Sequence, residues 1–362
     1  MAEFVDWSRA LPEEVIARAI AVLRGGGRVA FPTDTCYEIG ALALDEQAVG
    51  KLPVNDSGPL TLALSSADEL LEWAPGAGPT AARLGRRCWP GPVTVITDCE
   101  RNHRLPAGTW KRLGDNLAFR MPAHLSVLEV AQKVDGPLLF AGTEITDVAD
   151  GQDPFGQSAD LILVDGPTHF RGPPTVIRVE GVSWHIVSPG PVTEGDLEDL
   201  LRVHILFVCT GNTCRSPLAE ALCSKLLAER LGCAIHEIGK RGYVVTSAGL
   251  SAFSGGGAAE DASVVAAEYG ADLTGHRSRY LTEDMLARAD FLFGMTRSHL
   301  LSLARATIPG MPPPRLLSSD GEDIADPIGS DLETYRQCAQ TIWKSLQELA
   351  PQFENVAIVS TI

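Results

Sequence analysis

The sequence predicts an α/β fold in two parts: a mixed α/β domain over residues 1–201 and an open parallel sheet, with helices on both faces, over 202–362. Three observations carry this expectation. The chain has 362 residues, about twice the usual domain length. Nearly half of them are apolar and a fifth are charged, a globular composition in which each half can bury its own core. Beyond residue 202 strand and helix patterns alternate regularly, as in a parallel sheet whose crossovers are helices.

The first half opens on "LPEEVIARAIAVLRGGG", amphipathic at helical spacing, with Pro12 at the start and Gly25 to Gly27 as the stop. "RVAFPTDTCYEIG" reads as a strand entering a polar turn. "PLTLALSS", "GPVTVIT", "LAFRMP", "PTVIRVEG" and "VSWHIVSPG" are further strands, interleaved with helical patterns around 66–74, 79–87 and 124–134. "SPGPVTEGDLEDLLR" closes the domain with a short acidic helix that Thr193 can cap. The second half then runs through strand "HILFVC", a helix from Pro217 to about Leu231, strand "YVVTSAG", helices over 258–269 and 282–288, strand "ADFLFGMT", a helix over 297–304 and a last helix from about Asp331 to Glu348.

Charge narrows the partners. Residues 1–201 carry 16 basic and 28 acidic side chains, a balance of -12; residues 202–362 carry 14 and 18, a balance of -4, which together make the net -16. So acidic a surface repels phosphate backbones, and nucleic acid is an unlikely partner. The N-terminus has no basic and apolar leader, and no apolar run reaches a membrane span, so the expectation is a cytoplasmic protein without membrane contact. Eight cysteines contain no Cys-x-x-Cys pair and no Cys/His metal spacing, so no metal and no cofactor are expected.

The chemistry concentrates in "CTGNTCRS", residues 209–216, between a strand and a helix. In open parallel sheets ligands sit at the carboxyl ends of strands, and a loop there turns backbone N–H groups and a helix N-terminus toward an anion. Such a site also stabilises a thiolate at the start of the loop, where Cys209 stands. Arg215 can grip the same anion bidentately, Ser216 can donate to the Cys209 sulfur, and Asn212 tolerates the left-handed backbone that the turn requires. Thr210, Gly211, Thr213 and Cys214 complete the substrate-binding loop.

These residues resemble the low-molecular-weight protein tyrosine phosphatases, whose signature is Cys-x-Gly-Asn-x-Cys-Arg-Ser; "TSAG" (246–249), "ADFLFGMT" (289–296) and "DPIGSDLETYRQ" (326–337) follow in the family's order. The resemblance implies a Rossmann-like phosphatase domain, a cysteinyl-phosphate intermediate on Cys209, Arg215 as phosphate ligand and Asp326 as general acid, acting on a phosphorylated protein. "DPFGQSAD" (153–160) imitates the acid loop but precedes the nucleophile. Ile328 departs from the aromatic residue that often follows the family's Asp-Pro. Cys214 is either a disulfide partner for Cys209 or a buried filler. The string "CTGNTCRSP" also matches bacterial protein-arginine phosphatases, and through that resemblance Thr213 implies phosphoarginine rather than phosphotyrosine.

"FPTDTCYEIGALALDEQAV", "WPGPVTVI", "FRMPAH" and "PPTVIRV" resemble segments of the threonylcarbamoyl-AMP synthase (YrdC-like) family, which implies a twisted α/β sheet with a concave nucleotide surface and, taken alone, ATP, threonine and bicarbonate as substrates. Its phosphate clamp is changed: "DSGP" (56–59) replaces Lys-Gly-Arg-Pro, "GTE" (142–144) replaces Ser-Ala-Asn, Ser188 replaces an arginine and Glu38 a glycine, while Thr33 to Thr35 and Arg120 persist. The leading expectation is a phosphatase whose first domain is a degenerate module for a nucleotide-like ligand or a partner protein. The alternatives are a bifunctional threonylcarbamoyladenylate synthase with an attached phosphatase, and a binding module without catalysis.

Overall fold

The structure is a computed structural model that describes residues 2–53, 58–99, 104–114, 116–149, 151–306, 308, 310–354 and 359–360. The chain forms two compact units, Met1–Leu201 with Val359–Ile362, and Arg202–Ile358.

The first unit is built on a mixed sheet. Its strands lie in the order Glu3–Asp6, Leu161–Val164, Val29–Phe31, Glu38–Leu42, Leu138–Gly142, Thr61–Ala63, Asn116–Arg120, Val93–Asp98, Thr175–Glu180, Ser183–Ser188 and Val359–Ser360. Val29–Phe31 runs antiparallel to Glu38–Leu42, which places the turn carrying Thr33 to Thr35 at the end of that hairpin. Helix Pro12–Arg24 turns Val15, Ile16, Ala19 and Leu23 onto one sheet face, where they meet Phe31, Phe140 and Leu163 together with Val127 and Val130 of helix Leu125–Lys133. Thr193 caps Glu194–Leu201 reciprocally: its Oγ1 accepts from Asp196 N at 3.3 Å while Asp196 accepts from Thr193 N at 3.0 Å.

Strands Glu3–Asp6, Leu138–Gly142 and Leu161–Val164 and helix Ala107–Leu113 go beyond the sequence expectation. "LLFAG" and "LILV" are buried runs too short and too uniformly apolar to show a period of two.

The second unit is a four-stranded parallel sheet ordered Tyr243–Gly249, Val203–Cys209, Phe291–Gly294, Arg315–Leu316. The central strand divides its side chains by alternation. Val203, Ile205, Phe207 and Cys209 enter a core with helices Arg215–Leu231, Glu260–Glu268 and Leu332–Glu354. Leu206 and Val208 enter a second core with Leu286 and Leu303 on the other face. Helix Arg215–Leu231 begins two residues before the expected Pro217. A proline in the first turn lacks only an N–H that has no intrahelical partner there, so it marks the neighbourhood of the helix start and not its first residue. The last helix runs to Glu354, with Pro351 inside its final turn. Among the described residues no helix is long and apolar enough to cross a membrane.

Candidate active site

Cys209 ends the central strand, in register with Gly249 of its neighbour, and is 2% exposed. Its Sγ accepts from Asn212 N at 3.2 Å and lies 3.0 Å from Ser216 Oγ. The loop turns at Asn212, whose φ of 56° is left-handed. Its side chain is fully used: Nδ2 donates to Ser216 Oγ (2.9 Å) and Ser247 Oγ (2.8 Å), and Oδ1 accepts from Arg279 N (2.9 Å). With Asn212 donating to it, Ser216 keeps its own hydrogen for Cys209 Sγ or for Ala248 O at 3.3 Å, and the sulfur is the nearer.

The helix that follows has no side-chain cap at Cys214, so the positive end of its dipole lies against this loop. Arg215 is its first residue and 5% exposed. Nη1 donates to Ile324 O at 3.2 Å, Nη2 pairs with Asp326 Oδ2, and the buried Nε has no protein partner. Asp326 is reached across 111 residues, and its other oxygen accepts from Ile328 N at 3.3 Å; Ile328 itself is exposed. The structure thus brings Cys209, Asn212, Arg215, Ser216 and Asp326 together. Thr210 Oγ1 lies 3.0 Å from His299 Nε2, Gly211 adjoins Thr213 Oγ1, and Cys214 Sγ faces Thr213 Oγ1 (3.6 Å) and Tyr335 Oη (3.5 Å) with no disulfide. Asp153 of the imitation acid loop instead accepts from Phe155 N and Gly156 N within the first unit.

The supporting residues escaped the sequence reading. Ser247, in the quoted "TSAG", accepts from Asn212 and donates to Glu220, whose carboxyl is raised by burial above its ordinary range. His276 Nε2 meets Asn212 O at 2.8 Å. His299 is held below the ordinary histidine value by burial first and by the charge of Arg215 second, which favours a neutral ring beside the loop. Gly249 is dictated by close approach: a Cβ there would lie 2.6 Å from Thr210 O and 3.0 Å from Asn212 N. Gly249→Ala is therefore expected to cost about 1–3 kcal/mol and to lower turnover by displacing the loop, measured by denaturant unfolding and kcat on the same preparation.

In the first unit the structure gives the altered clamp a definite arrangement. Arg120 is fully buried and its three nitrogens are occupied: Nη2 by Asp34 Oδ1 (2.5 Å), Nη1 by Glu38 Oε2 (3.1 Å), and Nε by Gly91 O (3.2 Å). Thr33 Oγ1 donates to Cys36 O, and Thr35 O accepts from Thr168 Oγ1. Gly142 ends its strand, Glu144 follows it, and Ser188 ends Ser183–Ser188. Asp56 lies outside the described residues.

Comparisons with known proteins divide the chain in the same two places. Residues 204–357 match the family described as low molecular weight phosphotyrosine protein phosphatase, and residues 21–190 match the Sua5/YciO/YrdC family, described as telomere recombination. The protein-arginine-phosphatase of Bacillus subtilis is 34% identical over 155 residues, which cover 42% of this chain and 97% of that protein. The threonylcarbamoyl-AMP synthase of Pyrococcus abyssi is 28% identical over 209 residues, 54% of this chain and only 60% of the relative's length. A solved variant of Pyrococcus abyssi Sua5, 20% identical with a TM-score of 0.50, covers 95% of this chain and 98% of that one, a likeness of fold alone.

Proposed function

We propose, from the premise that this chain belongs to the low molecular weight phosphotyrosine protein phosphatase family through residues 204–357, that it hydrolyses phosphorylated proteins through a cysteinyl-phosphate on Cys209, with phosphoarginine preferred to phosphotyrosine. The observation that carries this reading is the convergence on one loop of a sulfur held by Asn212 N and Ser216 Oγ, a buried guanidinium with an unpartnered Nε, and the Asp326 carboxyl.

In the first step the Cys209 thiolate attacks phosphorus, the S–P bond forms, and the bond to the leaving nitrogen or oxygen breaks as Asp326 delivers a proton to it. Arg215 offers Nε and Nη2 as a fork for the equatorial oxygens, and a phosphoryl dianion competes with Asp326 for Nη2. That competition frees the Asp326 carboxyl from the guanidinium and leaves it beside the loop, within reach of the leaving group. In the second step water attacks phosphorus, gives a proton to the Asp326 carboxylate, and the S–P bond breaks, with Ser216 donating to the departing thiolate.

The preference for phosphoarginine rests on Thr213 and on the likeness to the Bacillus subtilis protein-arginine-phosphatase. Overall identity does not decide it, since the probable low molecular weight protein-tyrosine-phosphatase AmsI of Erwinia amylovora is 32% identical over a similar span. Phosphate release from a phosphoarginine protein and a phosphotyrosine peptide, compared in the wild type and Thr213→Ile, tests it. The expected result is faster release from phosphoarginine, with a fall of about ten-fold or more in that preference in the variant. Faster phosphotyrosine turnover by the wild type overturns the preference and leaves the Cys209 mechanism standing.

We assign residues 1–201 to a module without synthase activity, acting in the cytoplasm to recruit or regulate. The match of residues 21–190 favours the second reading, a bifunctional threonylcarbamoyl-AMP synthase. Against it stands Glu38: with Asp34 it neutralises the buried Arg120, whose charge is then not available to a triphosphate. Incubation with ATP, threonine and bicarbonate is expected to yield no pyrophosphate, and its release at an enzymatic rate would establish the second reading.

A further inference from the structure

The first unit holds a cavity of about 590 Å³ at the turn after Val29–Phe31, and its chemistry is opposite to that of a phosphate site. The ionisable side chains that line it are Asp34, Asp165, His124 and His169, with no lysine or arginine among the lining residues. Its apolar lining includes Pro32, Pro90, Pro167 and Phe170.

Two observations give this lining a direction. Asp34 is 6% exposed; its Oδ1 takes Arg120 Nη2 and Ala123 N (3.1 Å), while its Oδ2 is buried with no hydrogen-bond partner. Two buried acidic side chains, Asp34 and Glu38, thus share one guanidinium beside the cavity, and Asp34 keeps one oxygen that no protein donor reaches. Burial, with the charge of Asp34 adding to it, raises Glu38 above its ordinary value, the direction expected of such a cluster. The second observation concerns Asp165. His124 Nδ1 lies 3.2 Å from Ser126 N and 2.8 Å from Ser126 Oγ, and its Nε2 lies 3.0 Å from Asp165 Oδ2. The imidazole orients that carboxyl, whose side chain is one-third exposed.

We propose that this cavity is a binding site for a planar cation, a guanidinium group carried by free arginine or by an arginine side chain of a protein. A guanidinium supplies a fork of donors for Asp165 and the Asp34 edge, and its flat face packs against Phe170, 41% exposed and edge-on to His169 at 4.6 Å. A compact ammonium gains less from an aromatic face and a forked acceptor. A nucleotide phosphate entering the same space meets two carboxylates. The inference rests on the cavity and not on the phosphatase reading.

The test is calorimetric titration of the full chain with N-acetyl-L-arginine amide, free L-arginine, N-acetyl-L-lysine amide and ATP, with no phosphoryl substrate present. Asp34→Asn endangers the fold because it strips a partner from buried Arg120, so Asp165→Asn and Phe170→Ala are the variants. The expected result is saturable one-site binding of an arginine probe, tighter than lysine, and at least ten-fold weaker in both variants. Tighter binding of the amide than of free arginine assigns the site to a protein side chain, and the reverse assigns it to the amino acid. No saturable binding of either arginine probe, affinities unchanged in both variants, or ATP binding that Asp165→Asn strengthens would each overturn the proposal.

Discussion

Replacing Cys209 by Ser is expected to abolish phosphate release, a loss on the order of ten-thousand-fold or more in kcat, with either phosphoryl substrate. The reason lies in the neighbours. Asn212 N and the Ser216 hydroxyl are donors to the Cys209 position and can steady an anion there, but neither can take a proton from a serine. A thiol ionises without a strong base beside it, and a serine hydroxyl does not. The substitution changes little volume, so the variant is expected to fold and to bind substrate, which separates lost chemistry from lost structure. Turnover within ten-fold of the wild type would contradict the assignment of the nucleophile.

The second large effect is expected from Asp326→Asn. General acid catalysis contributes about a hundred- to ten-thousand-fold, and that loss should fall on substrates whose leaving group needs a proton. An aryl phosphate with an acidic phenol should suffer much less. Because Asp326 is partly exposed, the loss of its ion pair with Arg215 is expected to change global stability little, and Arg215 retains its bond to Ile324 O. The informative comparison is therefore kcat on a phosphoprotein against kcat on the activated aryl ester for the same variant. Equal losses on both would point to a role for Asp326 in holding Arg215 and not in proton delivery.

The loop was legible because its chemistry is local. Eight consecutive residues contain the sulfur, the left-handed turn, the guanidinium and the hydroxyl, and the apolar strand before them and the long helix after them say where the loop must lie. The supports were not legible because topology delivers them. Ser247 meets Asn212 from a neighbouring strand and is itself held by Glu220 of the following helix, and His276 and His299 reach Asn212 and Thr210 from 64 and 89 residues away. No spacing rule joins such positions. The same holds in the first unit. The sequence registers Glu38 as a glycine replaced and Arg120 as a cation retained, yet only the sheet, which sets these residues 82 positions apart into one ion pair, turns both observations into a single neutralised cluster. The short strands at 138–142 and 161–164 are a simpler failure, since buried runs of four or five apolar residues carry no periodicity to read.

Everything proposed for the second unit depends on a covalent intermediate on one sulfur. Its most direct test is to mix the full chain with an excess of phosphorylated substrate, quench in acid within the first turnovers, and map the phosphoryl group by mass spectrometry of the digested protein. The expected result is a phosphoryl adduct on the peptide containing Cys209, with the label on sulfur, absent from unreacted enzyme. Steady phosphate release with no adduct at any early time, or an adduct on another residue, would contradict it.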